Sequence, residues 1–544
     1  MVKSHSSSAD AAILAWNYDS QNTRKIQSDA EITKVTPLLV QAPIKSINVS
    51  ETKGAPATFS VVLEASEDWR CKIQVGAWCA IVINDQKINS MDDAAVVGNG
   101  LRCVGVVRSV RYREVVMGNG AVVRRYVVSG QDYSSVITRA SFYSNAALAA
   151  LRGSVEGRII LQLMDKQEHK KKLDAPRATP DELVYRFYNF FMGQVNFTIG
   201  DDRKIKKNQE SAGLVGVPLL VPPEVYRFMR GTSPESRQFT ALTHYVKQKL
   251  PGVISNSLGI GSNSSVWGIM QAYANLPFNE LYATMLPTTI DGKQRLLPTI
   301  VHRMNPFSNT TALKVGTNQT SQGDSSYDTS IRRDLSANLE EKDPSKGQEQ
   351  MEHCYVSRII HGEEVYDQDL GLSDQERFNF FLCSPSVAGS SSEMENVIIA
   401  DALKNNKVLM DRASMQRHGL RPIVDSSMYS LPGYTTKDSS PLLVLTDQMR
   451  SALEDAYLLE NGTIRCAGRS THVPLGTNVY LVHRAMVFHI EGASHDYSVD
   501  DRGERTYEVT YRVVHGKRYD PLTGIKGYPI DHPDYKAQAS RRDK

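Results

Sequence analysis

The stretch GTNVYLVHRAMVFHIEGASHDYSVDDRGERTYEVTYRVVHG, from Gly476 to Gly516, decides the fold. It opens on a glycine and a short apolar strand. A second strand follows, then the polar turn Asp500-Asp501-Arg502-Gly503, then a long strand closing on Gly516. In that last strand Tyr507, Val509, Tyr511 and Val513 alternate with Glu508, Thr510 and Arg512. Side chains along a strand point to opposite faces in turn, so the first set is predicted inward and Glu508 and Arg512 away from the core. The same plan runs from Gly76 to Asp132: GAWCAIVIND, then GLRCVGVVRSVRYREVVMGNGAVVRRYVVSGQD. Met117-Gly118-Asn119-Gly120 is a tight reversal, because Asn and Gly tolerate the positive φ that it needs. Tyr126 and Val128 are predicted inward and Arg125 outward. A chain that builds one small β unit twice presents two equivalent surfaces, which is a device of symmetry more than of catalysis.

Bulk properties leave this reading open and close others. With 544 residues the chain exceeds a single hydrophobic core. A net charge of +3 is too balanced to argue for nucleic-acid binding by electrostatics alone. The cysteines, Cys71, Cys79, Cys103, Cys354, Cys383 and Cys466, form no CxxC pair. They read as buried reduced thiols rather than a zinc ribbon or redox motif. The apolar run from Ala11 to Trp16 is too short for a signal-peptide core, and no run is long enough to span a bilayer.

Composition and turn signals divide the chain. Residues 1–35 read as a polar N-terminal arm, 36–140 as a first antiparallel β domain, and 141–295 as an α/β middle domain. Residues 296–371 and 460–516 read as a second β domain carrying a long polar insertion at 308–350. Residues 372–459 read as a mixed, largely helical inserted segment, and 517–544 as an extended tail. In the middle domain Thr179-Pro180-Asp181-Glu182 is a strong helix start. Ser233-Pro234 opens a second predicted helix, with Phe239, Leu242, Val246 and Leu250 on one face. Ser264 or Ser265 starts a third, with Val266, Met270 and Tyr273. Helical pattern returns at 394–410 and 447–459. The class expected is therefore α+β.

Catalytic chemistry is sparse. LGIGS, residues 258–262, lacks the Lys-Ser/Thr of a phosphate loop. His353, Cys354 and His361 lack the paired spacing of a structural zinc site. Glu340-Glu341 and Glu363-Glu364 read as solvated acids before they read as a glycosidase pair, and no Gly-x-Ser-x-Gly elbow is present. Arg108, Arg111, Arg113, Arg124 and Arg125 line β strands and suit either solvent or an acidic partner. No catalytic residue, cofactor or metal is expected.

A resemblance emerges from the centre of the chain. SVWGIMQAYANLPFNELYATMLP is followed by LLPTIVHRMNPF, which places Ser265-Val266-Trp267, Asn279-Glu280-Leu281, Arg303, Pro306 and Phe307 in one ordered series. LSDQERFNFF supplies Ser373, Asp374 and Asn379, RHGLRP supplies Gly419 and Arg421, and IRCAGRSTHVPLGTNVYL supplies Gly468 and Gly476. EGASHDYSV supplies His495 and Tyr497. The series resembles the hub proteins of phage baseplates, a family that includes the hub part of type VI secretion spikes, and spans about residues 36–516. The long insertion at 308–350 and Met304-Asn305 before Pro306 depart from it. Ser373 with Glu376 also reads as a helix capping box, whereas the resemblance makes Phe378, Phe380 and Leu382 strand positions.

The resemblance implies two small tail-tube-like antiparallel β-barrel domains per chain, with α/β and helical segments between. It implies a homotrimeric ring that adapts a sixfold tail tube to a threefold central spike and lines the DNA channel. Its implied partners are a tube or tube-initiator protein on one face and the spike on the other. Surrounding baseplate proteins, and transiently tape-measure protein or DNA in the channel, complete the set. Its implied location is the virion tail, after assembly in the host cytoplasm. The competing readings are a tail-associated cell-wall hydrolase, the hub part of a type VI-like spike, and a receptor-binding tail protein with fibrous repeats.

Overall fold

The computed structural model describes residues 9–17, 37–41, 43–85, 87–88, 100–116, 118, 120–139, 141–142, 225, 228–229, 242–245, 264–274, 279–290, 293–304, 356–385, 410–428, 446, 449–450, 453–520 and 524–527. Six strands make the first unit: β1 (Asp10–Trp16), β2 (Ile44–Thr52), β3 (Ala55–Glu64), β4 (Trp78–Asn84), β5 (Leu101–Val116) and β6 (Val122–Asp132). A hairpin follows, β7 (Asn279–Ile290) and β8 (Lys293–Met304). The second unit is β9 (Val356–Ile360), β10 (Val365–Gly371), β11 (Glu460–Ala467), β12 (Asn478–Leu481), β13 (Met486–Val499) and β14 (Arg505–Asp520).

The two units have one topology. In the first, the hydrogen-bonded order is β2-β3-β6-β5-β4-β1, and in the second it is β10-β11-β14-β13-β12-β9. Each strand of the second unit occupies the place of its counterpart in the first. One difference stands out: β1 runs antiparallel to β4, whereas β9 runs parallel to β12.

The correspondence extends to single residues. Gly76 and Gly476 both take a positive φ, 91° and 77°. The Gly76 N–H donates to the Val107 carbonyl at 2.8 Å, and the Val107 N–H returns to Ala77 at 2.9 Å. The Gly476 N–H donates to Ile490 at 3.0 Å, and the Ile490 N–H returns to Thr477 at 2.9 Å. Bulges recur as well, between Val107 and Ser109 in β5 and between Ile490 and Gly492 in β13. The β2–β3 ladder shifts between Ile44 and Ser46, and the β10–β11 ladder between Val365 and Asp367. A bulge adds local twist and re-aims the strand beyond it, so matched bulges bend the two units alike.

The units are joined edge to edge. β13 pairs antiparallel with β2 from Gly492↔Thr52 to Ser498↔Ser46. The result is one sheet of 14 strands among the described residues. Its inward residues form a single apolar cluster: Ile47, Val49, Phe59, Val61, Leu63, Tyr126 and Val128 from the first unit, and Ile464, Cys466, Tyr507, Val509, Tyr511 and Val513 from the second. Burial of each large side chain contributes about 1.5–3 kcal/mol. Tyr282, Leu286 and Val301 of the β7–β8 hairpin enter the same cluster.

The alternation predicted for the long strands is observed. Tyr126, Val128, Tyr507, Val509, Tyr511 and Val513 are buried, while Arg125 and Arg512 are exposed and Glu508 is half-buried. The helix predicted at Ser264 or Ser265 runs Val266–Tyr273, and Ser265 Oγ caps it by accepting from the Gly268 N–H at 3.0 Å.

Several expectations are corrected. The class is predominantly antiparallel β with short helices among the described residues, rather than α+β. Among the described residues the ladders of both units join into one sheet of 14 strands, which does not by itself show the expected barrels. The supposed N-terminal arm contains β1, whose residues Asp10–Trp16 are all buried because β4 and the strand Leu38–Val40 flank it. The boundary at 295 cuts the β7–β8 hairpin, whose register is continuous from Asn279↔Met304 to Ile290↔Lys293. The boundary at 516 falls inside β14, and Gly524–Gly527 pairs back onto that strand. Leu242–Tyr245, placed in a helix by its apolar spacing, is a short strand parallel to β8. Sheet pairing overrides a weak helical period there.

In the segment 372–459, Phe380–Pro385 and Pro422–Met428 form a parallel pair, with the helix Arg412–His418 between them in sequence. Among its described residues this segment mixes strands with short helices, and residues 449, 450 and 453 of the helix predicted at 447–459 are helical. Ser373 caps a single 3₁₀ turn, Asp374–Glu376, so both readings of that segment hold in part: the cap is real, and Phe380 and Leu382 lie in a strand. The helix predicted from Thr179, the helix predicted at 394–410 except for Met410, which bridges to Phe380, and the insertion 308–350 lie outside the described residues.

Candidate functional site

The feature that the fold constructs is the seam between the two units. Its inner face is apolar and closed: His495 opposes Val49, Tyr497 opposes Ile47, and all four are buried. On its outer face Asn48 Nδ2 donates to Asp496 Oδ1 at 2.5 Å and to Ser494 Oγ at 3.2 Å.

Ionic contacts lock both ends. At one end Lys53 Nζ donates to Glu280 Oε1 at 2.5 Å and lies 2.9 Å from His489 Nε2. His489 Nδ1 lies 3.0 Å from Asn478 Oδ1. This cluster ties the β2–β3 turn, β7, β12 and β13 at one point. Its side chains are mostly buried, so breaking one partner would leave a poorly solvated charge. At the other end Arg505 holds Asp10 at 2.7 Å, which fastens β14 to β1. Arg102 is buried; it donates to the Ser470 carbonyl at 2.7 Å and to the Arg469 carbonyl, and lies over the Tyr507 ring. The β11–β12 loop of the second unit is thereby attached to the first.

A small cavity beside the seam is lined by Glu51, Arg102, Asp132, Tyr133, Thr284 and Leu475, among others. Burial, with the Asp132 charge beside it, pushes the Glu51 carboxyl up to about 8, against the opposing pull of Arg102. Burial pushes Asp132 up to about 7, although it accepts from Ser134. Burial drives His472 down to about 3, and His495 well below the usual imidazole range, with Arg102 adding to both. His495 is thus a neutral core histidine whose Nδ1 lies 2.9 Å from the Tyr507 hydroxyl. Among the described residues no group of His, Cys, Asp or Glu is arranged to hold a metal. Cys79, Cys103 and Cys466 are buried and free, while Cys71 is exposed.

The residues singled out from sequence fall into three places. Glu280 is in the ionic lock, Leu281 is buried next to it, and Asn279 begins the same strand. Arg303 sits opposite Glu280 in the β7–β8 register. His495 and Tyr497 line the seam itself. Gly468 donates its N–H to the Tyr507 carbonyl at 2.9 Å, and Gly476 opens β12. A second group assembles elsewhere. Asn379 is fully buried; its Nδ2 donates to the Gly419 carbonyl at 2.7 Å, and its Oδ1 accepts from the Arg421 N–H at 2.7 Å. Arg421 in turn pairs with Asp374 at 2.6 Å. Asn379, Gly419 and Arg421 thus form a loop clamp, distant in sequence and joined by one amide. Trp267 is buried in its helix. Pro306 and Phe307 lie outside the described residues.

Sequence reasoning missed Lys53, His489, Arg102 and Arg505. Each is a polar residue next to or within a strand pattern, and no local signal separates it from a solvated one.

No protein-family model matches the chain, and no curated protein matches it. Among solved structures it is similar to a tail protein from Neisseria meningitidis, at 10% identity and a TM-score of 0.41, covering 93% of this chain and 96% of that one. It is similar to the 43 kDa tail protein of prophage MuSo2 from Shewanella oneidensis, at 10% identity and a TM-score of 0.39, covering 96% of this chain and 100% of that one. It is also similar to a PdpA–VgrG complex from Francisella, at 10% identity and a TM-score of 0.37, covering 96% of this chain and 59% of that one.

Proposed function

We propose that this protein is a structural hub of a phage tail baseplate. Three copies form a ring, and two units per copy give six equivalent positions around it. Such a ring presents sixfold repetition to a tail tube and threefold repetition to a central spike. The observation that carries the reading is the repeat: one strand order, matched glycine turns and matched bulges, built twice in one chain. The ordered motifs of the central segment add to it. A closed ring also removes free sheet edges, which otherwise invite uncontrolled pairing.

In this reading the protein works by contact, not catalysis. A tube or tube-initiator protein sits on one face, the spike on the other, and baseplate proteins around the rim. The axial channel admits DNA or tape-measure protein in passage. The ring belongs to the virion tail and assembles in the host cytoplasm. Native mass spectrometry of the purified protein, alone and with its spike partner, tests this. A trimer is expected. A dimer under every condition refutes it, and lysis of peptidoglycan by the isolated protein refutes the non-enzymatic part.

A further inference from the structure

The repeat contains a template for how a second copy docks. Within the chain the later half of β13 has β14 on one side and β2 on the other. The equivalent half of β5, from Ser109 onward, has β6 on one side and, among the described residues, no strand on the other. β10, the counterpart of β2, is an end strand that pairs with β11 alone among the described residues. The molecule thus carries, at separate places, an unused half of each kind that the internal seam joins.

We propose that β5 of one copy pairs antiparallel with β10 of a second copy, in the register that β13 and β2 use within the chain. This rests on the ring reading above. The bulges fix the register. Ser109 and Gly492 are each the first paired residue past equivalent bulges, and so are Asp367 and Ser46. Because Ser498 opposes Ser46, Val115 opposes Asp367 of the second copy. It follows that Arg113 opposes Asp369, Tyr112 opposes Leu370, and Val110 opposes Leu372.

The chemistry of the two edges agrees with the register that the bulges fix. Arg111 and Arg113 lie on one face of β5, and Asp367 and Asp369 on the matching face of β10; all four are exposed. Opposite charges directly across a ladder attract. On the other face Tyr112 is 41% exposed and Leu372 is 38% exposed, two large apolar groups that the pairing would bring to one side. The pair Arg113–Asp369 takes the place that Asp496–Asn48 fills inside the chain, where a hydrogen bond of 2.5 Å already spans the seam. Strand addition of this kind takes its affinity from main-chain hydrogen bonds and its specificity from such side chains.

The test is a disulfide scan in a Cys71→Ser background, since Cys71 is exposed. Opposed residues of an antiparallel pair lie about 4.5–5.5 Å apart at Cα, within disulfide reach. Arg113→Cys with Asp369→Cys should link chains into covalent trimers on oxidation, while Arg113→Cys with Asp367→Cys should give little product. Separately, Arg113→Asp or Asp369→Arg alone should weaken assembly by roughly tenfold or more in sedimentation, and the double exchange should restore it. All these positions are exposed, so an unchanged circular dichroism spectrum is expected. A trimer in native mass spectrometry without the 113–369 link overturns this interface and leaves the ring reading standing. A link formed within one chain also overturns it. A protein that stays monomeric with its spike partner overturns both.

Discussion

Replacing Val509 by Asp tests the deepest claim about the core. Val509 is 1% exposed and sits in β14 with Cys466 on one side and His495 on the other. The buried cations of this core are already engaged: Arg358 donates to the Tyr511 hydroxyl and the Ala467 carbonyl, and Arg102 to main-chain carbonyls. A carboxylate at 509 would therefore be forced into its neutral form. Holding an Asp neutral at pH 7 against a reference pKa of about 3.9 costs about 4 kcal/mol. Losing the valine's burial adds about 1.5–3 kcal/mol. The expected loss is about 6 kcal/mol, a large part of the stability of an ordinary domain. The neighbouring Glu508→Lys replacement breaks a half-exposed pair with Arg465 and should cost about 1 kcal/mol or less. Urea titration followed by near-UV circular dichroism separates the two. The Val509→Asp defect should shrink by about 4 kcal/mol at pH 4, because the penalty for neutralisation vanishes there. A Val509→Asp protein as stable as the parent at pH 7, or a defect that ignores pH, would refute the inward placement of β14.

Three further outcomes are expected. Glu51 and Asp132 titrate higher in the fold than unfolded, so the folded state holds more protons; their contribution is fully present below about pH 4 and is lost as pH rises towards 8. Glu51→Gln should remove a slope of about 1.4 kcal/mol per pH unit between roughly 4.5 and 8, read from thermal midpoints across that range. Gly76→Ala and Gly476→Ala each force a β-carbon onto positive φ, so each should cost about 1–2 kcal/mol in urea, and by similar amounts if the units are equivalent. Asn379→Ala leaves the Gly419 carbonyl and the Arg421 N–H without their shared partner; a loss of about 1–3 kcal/mol and faster proteolytic cleavage near residue 420 should follow.

The same residues show what could be read early and what could not. The β repeat was legible because it rests on local quantities: a glycine where φ must be positive, and a period of two along each strand. Those features place Tyr507, Val509, Tyr511 and Val513 inward whatever the rest of the chain does. The run Asp10–Trp16 failed to announce itself, since seven residues without a turn signal read as well for a tail as for a buried strand. The Asn379, Gly419 and Arg421 positions were visible as motif members, but their union in one clamp was not.

Sequence alone determined that this chain builds one antiparallel unit twice, and which faces of its strands are apolar. Tertiary structure decided that the units share a single sheet, that β9 enters parallel where β1 enters antiparallel, and that Lys53, Glu280 and His489 meet. The reason is range. Alternation and turn chemistry act between neighbours, so they are written in order along the chain. The seam joins Asn48 to Asp496, and the choice of which strand edges meet is made by the packing of the whole core around them.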